Sequence, residues 1–198
     1  MVLSETIIDI GNFAFMNCGH LKDINLPDSI KYLGNLSFAV PLDGALQPFS
    51  SMQVKIESLP SNLQTISSYA FYYGGNNITF ADLPKSLESI GEWSIVSCPN
   101  VRIENFGTDP QSAPLTLNNC ILYNSGVNVE TITIGDKVVS LAYDTGITDE
   151  GAIPSGFNGS FVGYGSATGG KVHITKGYEF YGLIGINQLG FNPMIWQH

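Results

Sequence analysis

Residues 26–38 read Leu26-Pro27-Asp28-Ser29-Ile30-Lys31-Tyr32-Leu33-Gly34-Asn35-Leu36-Ser37-Phe38, and the same residue types return 23 residues earlier, 33 residues later and 24 residues after that. Such a repeat predicts a solenoid, because each copy is one structural unit that buries its apolar side by stacking on the next. A sandwich of alternating strands does not require bulky and small residues to recur at a constant phase. The sequence therefore favours a repeat fold over a sandwich.

Eight columns of equivalent residues define the repeat. Three apolar columns come first, in Leu3, Leu26, Leu59 and Leu83, then Ile7, Ile30, Leu63 and Leu87, then Ile10, Leu33, Ile66 and Ile90. The next three are small, bulky and small, in Gly11, Gly34, Ser67 and Gly91, then Phe13, Leu36, Tyr69 and Trp93, then Ala14, Ser37, Ala70 and Ser94. The last two hold Phe15, Phe38, Phe71 and Ile95, and then Cys18 and Cys98. Because one column stacks along a continuous core, we expect the Phe column to be a buried ladder and Leu36 and Ser37 to belong to the core.

Each copy divides into a strand and an arc. The pattern Leu21-x-x-Ile24-x-Leu26-Pro27 is typical of a short strand ended by a proline, which cannot donate to a ladder. Gly34 suits a tight corner because it lacks a Cβ atom. Residues 35–38 are then predicted to form a short helical or 3₁₀ arc. The expected fold is an α/β repeat, with parallel strands on one face and short helical or 3₁₀ arcs and strands on the other.

These residues together, L-P-x-S-I-x-x-I-G-x-x-A-F-x-x-C-x-x-L-x-x-I, resemble the BspA-like leucine-rich repeats of bacterial and protist surface proteins, over residues 3 to about 103. The resemblance implies a curved solenoid whose parallel strands form a binding face used in attachment to host or neighbouring-cell molecules. It also implies a cell-surface or secreted location. No leader of basic then apolar residues follows Met1, so a virion or an intracellular location stays open.

The repeat pattern divides the chain into three regions. Residues 1–106 form the repeat array, with an insertion within 41–53. Residues 107–127 are predicted to be an irregular excursion. Residues 128–198 are predicted to be degenerate β-rich repeats with a long glycine-rich loop, where Ile134, Val138, Leu141 and Ala142 follow the repeat columns.

Composition excludes several classes of partner. The chain has 198 residues, of which 43% are hydrophobic, and a formal net charge of −9. This charge repels phosphate backbones and anionic lipid surfaces, so neither nucleic acid nor membrane insertion is expected. The three cysteines are too few and too scattered for a disulfide framework. We expect Cys18 and Cys98 to be reduced and Cys120 to be the most accessible thiol.

One motif suggests an enzyme. Asp144-Thr145-Gly146 is the tripeptide with which aspartic proteases hold a catalytic carboxylate, but such enzymes need two carboxylates side by side. The chain has one copy, which would require a homodimer, and a lone tripeptide is more often a turn. The three histidines lie far apart and lack partners at ligand spacing. We therefore expect no enzyme activity, no metal and no cofactor.

The candidate binding surface is the outward side of the predicted strands. Alternation along a strand selects the polar residues between the apolar columns, which are Lys22, Asp23, Asn25, Lys55, Glu57, Thr79, Asp82, Arg102 and Glu104. The leading hypothesis is a module that binds a protein or glycan through this face, in adhesion or recognition. The alternative is a structural subunit of a virion, fibre or surface layer that assembles, as a homo-oligomer or larger array, through an apolar tail containing Phe191, Met194, Ile195 and Trp196.

Overall fold

The chain winds into a stack of coils that are joined by short parallel strands and by turns. The computed structural model describes residues 1–41, 52–129, 131–141, 171–174 and 195–196. Its ten strands are β1 (Asp9–Ile10), β2 (Tyr32–Leu33), β3 (Thr65–Ile66), β4 (Ser89–Ile90), β5 (Asn105–Phe106), β6 (Leu115–Leu117), β7 (Thr131–Ile134), β8 (Val138–Leu141), β9 (Lys171–Ile174) and β10 (Ile195–Trp196). Every pairing between these strands is parallel.

The strands belong to two sheets. The first sheet has the order β1-β2-β3-β4-β6-β8, and the second has the order β10-β9-β7-β5. In the first sheet Ile10, Leu33, Ile66, Ile90 and Leu117 pair in register, as the third apolar column predicts. Their side chains are all buried, whereas the preceding residue of each strand faces outward or is half-buried. The predicted solenoid of parallel strands is confirmed.

The predicted strand over residues 21–26 forms a thinner ladder. Isolated parallel bridges join Val2 to Asn25, Asp23 to Lys55, and Ile56 to Ile78. Backbone bonds carry the row onward, since Arg102 donates to the Phe80 carbonyl at 3.2 Å and Thr133 donates to the Glu104 carbonyl at 2.7 Å. We call this series of segments, around residues 22–25, 55–57, 78–82 and 102–104, the strand row. It is continuous with β5 and β7 of the second sheet.

The predicted helical or 3₁₀ arc is replaced by overlapping turns, and the part of the chain that the structure describes contains no helix. In the first coil Ala14 N–H donates to Gly11 and Met16 N–H donates to Phe13, each closing a four-residue turn. Phe13 and Asn17 have φ values of 61° and 57°, which a right-handed helix does not allow. We call the side of the stack built from these turns, around residues 11–18, 34–41, 67–75, 91–98 and 118–125, the turn face.

Backbone bonds between coils explain why the turns are used. Phe13, Phe15 and Asn17 donate to the carbonyls of Asn35, Ser37 and Ala39 in the next coil, at 2.8–2.9 Å. Alternate N–H groups thus point along the stack, while the others close turns within their own coil. A helix would direct all of its bonds within one coil and leave the coils unconnected on this side.

The core is a stack of equivalent apolar side chains. The rings of Phe15 and Phe38 lie 5.1 Å apart with an interplanar angle of 17°, and those of Phe38 and Phe71 lie 5.6 Å apart at 10°. Phe38 and Phe71 are fully buried. The predicted Phe ladder is confirmed, and Ile95 and Leu122 continue it as buried residues in the next two coils.

Residues 107–127, predicted to be an irregular excursion, form a fifth coil of the stack. Strand β6 lies between β4 and β8, and the buried residues Leu115, Leu117 and Leu122 fill the repeat columns. The only irregular part is the loop 107–114, which Lys85 fastens by an ion pair to Asp109 at 2.7 Å and by accepting the Ala113 N–H at 2.7 Å. The length of this loop shifts the repeat columns out of phase, and this hides the fifth repeat in the sequence.

Glycine at the corner is required by the neighbouring coil. A Cβ atom on Gly34 would lie 2.6 Å from the backbone nitrogen of Asn12 and 2.7 Å from the carbonyl carbon of Gly11. Gly91 meets the backbone of Ser67 and Ser68 in the same way. Gly11 occupies the equivalent corner of the first coil, where nothing lies within 4 Å.

We predict that Gly34→Ala lowers the free energy of unfolding by about 1–3 kcal/mol, because the added methyl forces the first two coils apart. Gly11→Ala is the matched control and should change stability by less than about 0.5 kcal/mol. Urea denaturation followed by circular dichroism measures both. Equal effects of the two substitutions would show that the close approach of the coils is not what demands glycine.

We predict that Phe38→Ala costs about 3–5 kcal/mol, the penalty for emptying a buried aromatic site. Phe13→Ala serves as control, since 54% of the Phe13 side chain is exposed and little burial is lost. An unfolding midpoint that Phe38→Ala leaves unchanged contradicts the ring ladder.

Candidate binding surfaces

The strand row displays the polar residues that the sequence selected. Eight of the nine are exposed and Thr79 is half-buried, so the row faces solvent over its described length. The bridge between Asp23 and Lys55 places these two residues side by side on adjacent coils. The row therefore brings residues of four coils onto one surface.

Charges of both signs are interleaved along the strand row. Lys55 Nζ lies 2.8 Å from the Glu57 carboxylate, and both side chains are more than half exposed. The hydrogen bond and charge of Glu57, with a smaller contribution from Asp23, raise the pKa of Lys55. Water screens this pair, so it contributes little to folding and leaves the groups accessible to a partner.

The turn face carries large side chains that are only partly buried. Leu36 is half-buried rather than buried, Phe13 is 54% exposed and Tyr69 is 37% exposed. The prediction that Leu36 lies in the core was wrong, because its left-handed backbone, with a φ of 55°, belongs to a turn that leaves the side chain partly exposed. Ser37, in the following column, is buried as predicted.

Aromatic rings contact one another across the turn face. Tyr72 lies edge-on to Tyr69 at 5.4 Å and to Tyr73 at 4.8 Å, and Trp93 lies 5.2 Å from Tyr123. Partial burial among these rings, followed by the two neighbouring phenols, raises the pKa of Tyr72. These contacts hold the rings in fixed positions on the surface.

A third feature is a cavity of about 430 Å³ under the loop 107–114. Its floor is apolar, from Leu83, Pro84, Leu87 and Leu115, and its walls include Asp82, Asn105 and Thr108. This volume lies within the range of small-molecule pockets. Lys85 is neutralised by Asp109, whose pKa the lysine lowers, so the lining does not suit an anion.

The three cysteines form no disulfide in the structure, but their accessibility differs from the prediction. Cys18 and Cys98 form no disulfide, as expected. Cys120 is fully buried, so the prediction that it is the most accessible thiol was wrong, and Cys18 is the half-buried one. Burial raises the pKa of Cys98 to about 12, and burial with the charge of Glu92 raises the pKa of Cys120 to about 12.

We predict that a thiol reagent at pH 8 modifies Cys18 first in the folded chain. The thiolate is the reactive form, and a pKa of about 12 leaves almost none of it at Cys98 or Cys120 until the pH approaches that value or the chain unfolds. Absorbance of released thionitrobenzoate counts the reacting groups, and Cys18→Ser removes the fast reaction. Rapid labelling of Cys120 in the folded chain contradicts its burial.

Other predicted residues fall outside the described ranges. Asp144 and the aspartic-protease motif lie there, as do Phe191, Met194, Ala142 and most of the insertion within 41–53. Ile195 and Trp196 form β10, whose backbone pairs with β9, so this part of the tail belongs to the second sheet. Within the described stretches, no group of three or more His, Cys, Asp and Glu is placed to hold a metal ion. Those stretches also contain no helix with the length and apolar character of a membrane span.

Parallel strands stacked in register over a ladder of equivalent apolar residues define a leucine-rich-repeat solenoid. The family model described as BspA type leucine rich repeat region matches six copies over residues 1–41 and 47–145. The chain belongs to this family. Its repeat architecture is consistent with a protein-binding repeat module.

One solved structure is similar, a leucine-rich repeat protein from Bacteroides ovatus ATCC 8483. It is 20% identical with a TM-score of 0.48, over 88% of this chain and 37% of the other. The chain thus spans little more than a third of that relative's length. A search of curated proteins gave no significant match.

Proposed function

We propose that the chain is a non-enzymatic binding module that recognises a protein at a cell or particle surface through the strand row. The observation that carries the proposal is the exposure of mixed charges from successive coils along one continuous backbone ladder. In a solenoid such a ladder provides an extended and rigid surface on which a partner contacts several coils at once.

The electrostatics of the row favour a protein over other macromolecules. Lys22, Lys55 and Arg102 alternate with Asp23, Glu57 and Glu104, so the row has no single sign to attract a polyanion. The net charge of −9 further disfavours nucleic acid and anionic lipid. Interleaved charges match a partner surface of complementary pattern, which sets specificity and the rate of association.

Attachment at a surface is the role that the family resemblance supports. An extended row of exposed positions permits change of the outward residues without disturbing the stacked core, because the two sets occupy alternating positions. Such separation suits a module that must recognise variable partners. We therefore propose adhesion or recognition as the biological context.

The alternative function is a structural subunit of a larger assembly. Exposed apolar side chains in the first coil favour it, since Val2 is 84% exposed and Ile8 is 53% exposed. Apolar surface is stabilised when a neighbouring molecule removes it from water. The two functions make different demands on the strand row.

We predict that Lys22→Glu combined with Arg102→Glu weakens binding to a protein partner by tenfold or more, about 1.4 kcal/mol. Both side chains are exposed, so the melting temperature should be nearly unchanged. Biosensor measurements against purified extracellular-matrix and cell-surface proteins, at low and physiological salt, provide the test. Affinity through interleaved charges should also fall with salt.

Lys31→Glu combined with Lys137→Glu is the matched control, since it makes the same change in net charge beside the first sheet. It should leave the affinity intact. A partner that binds the strand-row variant as tightly as the wild type contradicts the strand-row proposal. The structural alternative is favoured if the wild type binds no partner but assembles into particles or fibres, and if the strand-row variant assembles equally well.

A further inference from the structure

Bulky residues occupy left-handed backbone positions on the turn face. Phe13, Leu36, Tyr69 and Trp93 have φ values of 61°, 55°, 60° and 50° at equivalent places in the first four coils, and we call these four residues the first column. The fifth coil has the small, fully buried Cys120 at this place, with a φ of 49°. A side chain disfavours this conformation, which glycine and, to a lesser degree, asparagine adopt at lower cost. The repeat therefore keeps large side chains where the backbone favours small ones.

A second left-handed column in the same turns shows what the backbone itself selects. Four residues after Phe13, Tyr69, Trp93 and Cys120, the backbone is left-handed again, at Asn17, Tyr73, Ser97 and Asn124. Three of these four are small and polar, and two are asparagine. The large residues of the first column are thus not a requirement of the turn.

Burial does not account for the first column either. Phe13 and Tyr69 keep 54% and 37% of their surface exposed, and Leu36 and Trp93 are only half-buried. The core is already filled by the neighbouring Phe ladder. Burial in the core therefore does not offset the cost of the left-handed backbone at these residues. Such uncompensated strain indicates a surface that is retained for contact with a ligand.

The surroundings of this column are uncharged in the first three coils. Asn12, Asn35 and Ser68 precede the large residues, and Glu92 supplies the first charge in the fourth coil. A chain with a net charge of −9 thus presents a nearly neutral strip in which rings and aliphatic groups alternate with amides and hydroxyls. Charge complementarity therefore favours a ligand that is itself neutral.

We propose that the turn face binds a neutral polysaccharide whose chain runs across the coils. A sugar ring offers an apolar face of C–H groups for stacking on an aromatic ring and hydroxyl groups for hydrogen bonds to amides. The coils repeat at about 4.7–4.9 Å, the spacing of neighbouring strands, which is on the scale of one sugar ring. This surface differs from the strand row and does not depend on the function proposed for it.

The test is native electrophoresis of the whole chain in gels that contain a soluble neutral polysaccharide. Dextran, laminarin, xyloglucan and galactomannan are the probes, and alginate is the acidic comparison. Wild type should be retarded by one or more neutral polysaccharides and not by alginate. Phe13→Asn combined with Tyr69→Asn should weaken the retarding interaction at least about tenfold.

Asparagine is chosen because it tolerates the left-handed conformation, so the variant should keep its melting temperature within about 2 °C. If the double variant does not fold, Tyr69→Gly alone removes one ring and relieves the backbone. Lys31→Glu combined with Lys137→Glu is the control and should migrate with the wild-type retardation.

Three results of the electrophoresis overturn the proposal. They are no retardation by any neutral polysaccharide, retardation that the folded variants retain, and retardation by alginate alone. The proposal is also overturned if the wild type binds no polysaccharide but self-associates in sedimentation experiments, and if the asparagine variant does not. That result would assign the strip to a second copy of the chain. Failure of strand-row binding to proteins leaves these outcomes unaffected, so the two proposals are separable.

Discussion

Backbone hydrogen bonding between successive coils is the interaction on which the rest of this structure depends. It operates at the first sheet, along the strand row and across the turn face, so each coil is fixed to the next on three sides. Equivalent residues are thereby held one above another at the spacing of neighbouring strands. The side-chain columns, the ring ladder of Phe15, Phe38 and Phe71, and the requirement for glycine at Gly34 all follow from that spacing.

The same constraint explains which parts of the fold can be read from the sequence. A stacked core demands similar side chains at equivalent positions, so the column of Leu33, Ile66 and Ile90 can be recognised from the sequence alone. The fifth coil is hidden because the loop 107–114 changes the spacing between columns, although Leu115 and Leu117 still fill them. Comparison of the sequence with itself at a fixed spacing detects coils of regular length. The hydrogen-bonded backbone ladder also forms between coils that contain extra residues.

The turn face shows a different limit. Alternation of large and small residues is the same whether the large ones point inward or outward, and only the backbone dihedral angles distinguish the two. At Tyr69 and Trp93 the left-handed conformation reverses the direction that a helical arc would give. For the strand row no such ambiguity arises, because alternation along an extended chain separates Lys55 from Ile56 directly. The outward residues there were accordingly predictable, while the aromatic surface was not.

The loop 107–114 shows that a coil can take up extra residues at one corner while β6 stays in register with β4 and β8. The ion pair between Lys85 and Asp109 and the bond from Ala113 to Lys85 attach the added chain to the coil beneath it. This corner is therefore a natural grafting site, where a foreign peptide held at both ends would be displayed on a rigid support.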